Sequence, residues 1–180
     1  GLRYPQTLPE TASDLEQYSA VQLFLTSARE IRPDMAATAD DLPELVTLND
    51  IRGDLHAHTK RTDGRNSLRE MAEAARNMGY TYLAITDHSQ RVAMAGGLTE
   101  KGLREHMEMI DAANAEIDGI TILKGIECDI LDDGTLDLPD AVLKELDLVI
   151  CSVHYQQRFA REKQTARVLR AMDNPYCKIL

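Results

Sequence analysis

The stretch Gly53-Asp-Leu-His-Ala-His-Thr-Lys-Arg-Thr-Asp-Gly64 organises this sequence. It predicts a strand over residues 51–59, in which alternate side chains point to one side, so that His56 and His58 face the same space. Asp63 and Gly64 form a pair that marks a turn. Two imidazoles and a nearby carboxylate can hold a divalent cation, although a core strand with incidental histidines would show the same pattern.

Alternating strands and helices follow this stretch. Strands are predicted over 80–85, 120–126, 147–153 and 176–180, the last of them only begun, and helices over 66–79, 99–117, 139–146 and 161–172. Asp132-Asp133-Gly134 predicts a hairpin within residues 129–138. This order predicts a parallel sheet or barrel with right-handed crossovers. The fold class is therefore α/β.

Further residues of the metal-ligand type stand at or just after the ends of these strands. His88 follows the second strand, Glu127 the third and His154 the fourth. The carboxyl ends of parallel strands lie on one face of the sheet, so we predict that these side chains converge with those of the first stretch. The remaining histidine, His106, lies within a predicted helix, and we expect it on the surface or in packing.

The predicted cluster contains more donors than one tetrahedral ion can take. Imidazoles and carboxylates without thiolates suit zinc, manganese or iron, and a carboxylate such as Glu127 could bridge two ions. Several divalent ions together lower the pKa of bound water and clamp phosphate oxygens, so that a metal-bound hydroxide can attack a phosphoester. The candidate metal ligands are His56, His58, Asp63, His88, Glu127 and His154.

Other charged residues near the candidate ligands give weaker signals. One acidic group does not match the spacing of a calcium loop and is expected in a solvated turn: Asp129, Asp132 and Asp133. Three basic residues are candidates for neutralising a substrate phosphate, with surface charge as the alternative: Arg91, Lys124 and Arg158. Two further acids adjoin ligands in the sequence but should point away from them on a strand: Asp54 and Asp87.

Composition restricts the class of protein. The formal net charge of −10 argues against a stand-alone nucleic-acid binder, unless bound divalent ions supply positive charge. The three cysteines lack the spacing of a zinc ribbon or disulfide framework and indicate a reducing cytoplasm. Cys151 lies in an apolar run and is expected in the core rather than as a nucleophile beside His154. We find no signal peptide and no apolar run long enough to span a membrane.

Four motifs carry a resemblance to a known family. Asp54-Leu-His-Ala-His-Thr59, Ile85-Thr-Asp-His88, Gly125-Ile-Glu-Cys-Asp-Ile130 and Ser152-Val-His154 resemble, in this order, the motifs of the PHP domain, named for polymerase and histidinol phosphatase. Within that family the sequence resembles the C-terminal PHP domain of bacterial and archaeal family X DNA polymerases. The resemblance is strong over residues 42–180. Residues 1–41 resemble a tail or linker at the end of the polymerase part, with a helix at about 13–31.

The resemblance implies a distorted (β/α)7 barrel with three metal sites and a manganese- or zinc-dependent phosphoesterase activity. In these polymerases the domain is associated with 3′→5′ exonuclease activity and 3′-end processing in DNA repair. Carried over by position, His56 and His58 would bind one metal, and Asp63 and His88 a second. Glu127 would bridge the first and third metals, and His154 would bind the third.

The resemblance also implies that the chain is a fragment, since the family's later histidine motifs would follow Leu180. We therefore expect only the first four to five β/α units here, with the rest of the barrel and the polymerase domain missing. DNA would be a partner through the full-length protein. Two other hypotheses stay open, namely a small-molecule phosphatase similar to histidinol phosphatase and a non-catalytic structural PHP domain.

Overall fold

Four parallel strands make up the sheet in the described part of the chain, in the spatial order β1-β2-β3-β4. They are β1 (Gly53–Ala57), β2 (Tyr82–Ile85), β3 (Thr121–Asp129) and β4 (Leu148–Ser152). Together with the helices they form a curled half-barrel, which confirms the predicted α/β class. The computed structural model describes residues 46–180, so the helix predicted at 13–31 lies outside the described residues.

The helices alternate with the strands as predicted. They are α1 (Leu68–Asn77), α2 (Glu100–Glu116), α3 (Asp140–Leu143) and α4 (Arg161–Met172), with short 3-10 turns at Leu48–Asp50 and Ala93–Ala95. Ser67 caps α1, and Glu70 completes the predicted capping box. Helix α3 is shorter than predicted, because after Lys144 the backbone hydrogen bonds of the predicted helix join residues three positions apart rather than four.

Within residues 46–180, two clusters of buried side chains form the core. One joins α1 and the C-terminal part of α2 to β2 and the start of β3, and it contains Leu68, Ala72, Leu83, Ile85, Ile110 and Ile122 among others. The other surrounds the end of β3, α3 and β4, and it contains Leu103, Ile126, Cys128, Val142, Val149 and Cys151 among others. The sheet is therefore packed against its helices while the strand ends remain available for polar side chains.

Two strand boundaries differ in a way that matters for function. β3 continues beyond the predicted residue 126 to Asp129, because its ladder with β4 extends to the pair Asp129–Ser152. Glu127 and Asp129 therefore both lie on the strand and, being two residues apart, point to the same side. The predicted start of a fifth strand is confirmed, since Ile179 forms a parallel bridge with Ile150 beside β4.

A search of residues 46–180 finds no helix that is both long enough and apolar enough to cross a membrane.

Candidate metal centre

The structure brings all six predicted ligand residues together at the carboxyl ends of the strands. His56 lies on β1 and His58 just beyond it, and their Nε2 atoms are 3.1 Å apart. The alternation expected for a strand thus persists past Ala57. This places two imidazoles side by side at one end of the sheet.

A tight turn carries Asp63 back to these histidines. The N–H of Gly64 donates to the carbonyl of Thr59 at 2.9 Å. A Cβ atom at position 64 would lie 2.4 Å from the carbonyl oxygen of His58, so only glycine fits this close approach. As a result, the Asp63 carboxylate lies 2.8 Å from Nδ1 of His58 and 3.3 Å from Nε2 of His88.

Glu127 stands at the centre of the cluster. Its side chain is 8% exposed, and His88 and Glu127 are joined by a parallel bridge that extends the β2–β3 pairing. Four imidazoles surround its carboxylate, at distances of 3.5, 3.2, 3.0 and 3.3 Å, namely those of His56, His58, His88 and His154. Residues separated by almost a hundred positions therefore converge on one carboxylate.

The charges of the cluster are strongly coupled. Burial alone would raise the pKa of the Glu127 carboxyl, but a hydrogen bond from His58 and the charges of His88 and His154 outweigh it and lower that pKa to about 2. The hydrogen bond to Glu127 raises the pKa of His58 to about 9, against the opposing effect of burial. Burial lowers the pKa of His88. The cluster therefore holds a permanent carboxylate among imidazoles of unequal basicity.

The six residues form three overlapping groups, and within each group the donor atoms lie within 4.8 Å of one another. The groups are His56, His58, Glu127; His58, Asp63, His88; and His88, Glu127, His154. Each pair of groups shares one residue. The donor sets are imidazoles and carboxylates, which fit zinc, manganese or iron. The buried Nδ1 of His88 lies 3.0 Å from Oε2 of Glu127 without forming a hydrogen bond among the described residues.

Asp87 and His106 support the cluster from behind, and sequence reasoning missed their contact. Asp87 points away from the ligands, as expected, and is fully buried. It accepts hydrogen bonds from Thr59 and Thr62, and its Oδ2 lies 3.0 Å from Nε2 of His106. His106 is 1% exposed, so the packing alternative holds and the surface alternative is wrong. Burial would raise the pKa of Asp87, but these partners together lower it.

The prediction of a solvated turn is wrong for Asp129. This residue is 0% exposed, because it is the last residue of β3 rather than part of the following turn. Its carboxylate contacts His154 and Arg91. Asp132 and Asp133 are exposed and lie in the turn, as expected.

The three basic candidates and Cys151 lie in different surroundings. The ammonium of Lys124 contacts Asp111 of α2, which favours the alternative of surface charge for this residue. Arg91 lies next to the cluster through Asp129. Arg158 is exposed and unpaired within the described part of the chain. Cys151 is 2% exposed in the core, and burial raises the pKa of its thiol, so the expectation of a packing role is confirmed.

Comparison with known proteins agrees with this geometry. The family model of the PHP domain matches residues 54–177. This chain belongs to the PHP domain family. The match covers all six residues of the cluster and the whole of the described sheet except Gly53.

The chain is similar to a named DNA polymerase and to several named probable phosphatases. PolX of Bacillus subtilis (strain 168), named a DNA polymerase/3'-5' exonuclease, is 47% identical over 143 residues, which are 79% of this chain and 25% of that protein. A probable phosphatase of Thermoanaerobacter sp. (strain X514) is 33% identical over 71% of this chain and 51% of its own length. A probable phosphatase of Acetivibrio thermocellus is 34% identical over 68% and 50%. The chain thus spans a quarter of PolX and about half of the phosphatases.

Proposed function

We propose that this chain is the phosphoesterase part of a family X DNA polymerase and that it hydrolyses phosphodiester bonds at DNA 3′ ends, as a 3′→5′ exonuclease in DNA repair. The observation that carries the proposal is the cluster around Glu127, which can hold several divalent cations in one place. The 47% identity to a protein named both polymerase and exonuclease supports DNA as the substrate. Residues 42–180 would be the N-terminal portion of the PHP domain, and residues 1–41 the tail or linker of the polymerase part.

The proposed cations are manganese or zinc, with iron as a third candidate. Bound cations would lower the pKa of water, neutralise the phosphate and stabilise the leaving oxygen. Glu127 would hold two of them, because its Oε2 faces His56, His58 and His88 while its Oε1 faces His154. Asp63 would complete the remaining group. Because the pKa of His58 is raised to about 9 in the metal-free protein, this residue would release a proton as a cation binds at neutral pH.

The acidic character of the chain is compatible with a DNA substrate once cations are bound. The formal net charge is −10, and three divalent cations would place roughly six positive charges at the strand ends. The three cysteines are free thiols, which suits the reducing cytoplasm in which such a repair enzyme would work.

The test uses the protein at its natural length, with a 5′-labelled single-stranded oligonucleotide and Mn²⁺. We expect a ladder of shortened products that disappears in the Glu127→Gln variant. Glu116→Gln is the matched control, because Glu116 is exposed at the end of α2 and contacts Arg69 rather than the cluster. A Glu127→Gln variant that still shortens the DNA would contradict the proposal.

A small-molecule phosphatase is the second candidate, favoured by the relatives that are named probable phosphatases. Histidinol phosphate is offered in a parallel reaction, and the release of inorganic phosphate is measured. Phosphate release that depends on Glu127, with the DNA intact, would replace the nuclease by the phosphatase. Inactivity toward both substrates would favour a structural PHP domain.

A further inference from the structure

Asp129 lies beside the cluster without belonging to any of its three groups of donors. It is 0% exposed and stands two residues after Glu127 on β3, so both carboxylates point to the same side of the sheet. Its backbone N–H donates to the hydroxyl of Ser89 at 2.9 Å, which fixes its position from the β2 side. A buried carboxylate held in this way is costly unless its oxygens have partners.

One oxygen of Asp129 is committed to His154. Oδ1 accepts a hydrogen bond from the backbone N–H of His154 at 2.9 Å and lies 3.0 Å from Nδ1 of the imidazole. A carboxylate only accepts hydrogen bonds, so Nδ1 must carry the proton in this contact. In the neutral imidazole Nε2 of His154 then keeps its lone pair, and it lies 3.3 Å from Oε1 of Glu127, on the side of the cluster.

Arg91 compensates the charge at the other oxygen. Its Nε lies 3.1 Å from Oδ2 of Asp129, and its guanidinium group lies 5.4 Å from the ring centroid of Tyr155. The backbone N–H of Arg91 donates to Asp137, and its side chain also contacts Asp132. The buried negative charge is therefore paired with a cation that is itself anchored at three points.

We propose that Asp129 is a positioning residue that fixes the tautomer and the ring orientation of His154, so that Nε2 is presented to a divalent cation shared with His88 and Glu127. The inference rests on the proposed function in one respect, namely that this group binds a cation. A carboxylate that receives the second N–H of a metal-bound histidine commonly changes metal affinity 10–100-fold. Asp129 would act directly only on the group that contains His154, because the other two groups do not include that residue.

The test measures Zn²⁺ binding by isothermal titration calorimetry, with the natural-length protein. We expect Asp129→Ala to weaken one class of site by about 10–100-fold and to affect the other two much less, through the residues that they share with it. Asp129→Asn keeps an oxygen acceptor for His154 and should recover part of that affinity. Asp132→Asn is the matched control, because it removes an exposed partner of Arg91 and leaves the contact between Asp129 and His154 intact. A merely structural residue would weaken all three classes together and would not be rescued by asparagine.

A second measurement avoids mutation altogether. Imidazole ¹⁵N chemical shifts of the metal-free wild-type protein, at a pH where His154 is neutral, should show the proton on Nδ1. The opposite tautomer, or equal Zn²⁺ affinities in Asp129→Ala and the wild type, would overturn this inference and leave the proposed function standing. A wild-type protein that binds none of Zn²⁺, Mn²⁺ and Fe²⁺ would overturn the proposed function and, with it, the inference.

Discussion

The contact between His106 and Asp87 gives a sharp test of how the cluster is supported. Both side chains are essentially inaccessible, and they join α2 to the segment that follows β2. Asp87 also accepts two hydrogen bonds from Thr59 and one from Thr62, in the turn that leads to Asp63. We therefore consider the substitution His106→Leu, which roughly preserves the side-chain volume and removes the contact.

The magnitude follows from the partners that remain. Loss of the only partner of a buried charge costs about 3–5 kcal/mol, whereas loss of one hydrogen bond to a charged group costs about 1.5–3 kcal/mol. Asp87 keeps three donors from the two threonines, so the lower range applies. We expect the free energy of unfolding of His106→Leu to fall by about 1.5–3 kcal/mol.

The assay is urea denaturation followed by circular dichroism, at neutral pH in the presence of a chelator. His106→Gln is the matched control, since its amide N–H can reach the place of Nε2 and should restore most of the stability. A loss of less than about 0.5 kcal/mol in His106→Leu would refute the reasoning, because changes of that size are typical of surface substitutions. Equal losses in both variants would show that packing, and not the polar contact, is responsible.

Two further predictions concern pH and the turn before α1. Because the pKa of His58 is raised from 6.5 to about 9 in the metal-free protein, its contacts stabilise the fold fully below pH 6.5, and this contribution is lost as the pH rises through about 9. The free energy of unfolding, measured in chelator across that pH window, should therefore decline, and Zn²⁺ binding below the window should release a proton. A stability that does not change with pH would contradict both expectations. Gly64→Ala would place a methyl group 2.4 Å from the carbonyl oxygen of His58. We therefore expect the free energy of unfolding, measured by heat or urea, to fall by about 1–3 kcal/mol, together with weaker Zn²⁺ binding. Gly102→Ala in α2 is the control, because a methyl group there has ordinary contact distances and should be neutral or slightly stabilising.

Much of the fold and the cluster could be predicted because the signals are local. Capping residues such as Ser67 mark the start of a helix within a few positions, and apolar runs mark the buried strands. The convergence of His88, Glu127 and His154 follows from one topological rule, since parallel strands present their carboxyl ends on one face. No distance had to be known for that inference.

The errors arise where burial depends on residues far away in the sequence. Asp129 adjoins an Asp-Asp-Gly turn, in a stretch whose composition is typical of a solvated loop. Pairing with β4 nevertheless extends β3 to this residue, and Arg91, which lies 38 positions earlier, supplies its counter-charge. His106 looked like an incidental histidine because its partner belongs to another element. Lys124 was a candidate for a phosphate contact because its distance from Glu127 along the chain is short, whereas its side chain contacts Asp111 of another element.

The sharing of residues among the three groups has a consequence for any chemistry at this site. His58, His88 and Glu127 each belong to two groups, whereas His56, Asp63 and His154 each belong to one. A cation in one group would therefore order two side chains that also belong to the neighbouring groups, so the next cation would lose less conformational entropy in ordering them.

The same sharing would bring like charges close together, which opposes the binding of a second and third cation. Glu127 is placed to offset that repulsion, because its carboxylate stays ionised far below neutral pH and contacts a histidine of every group. We therefore expect the central carboxylate, rather than any one histidine, to determine whether the cluster holds several cations at once.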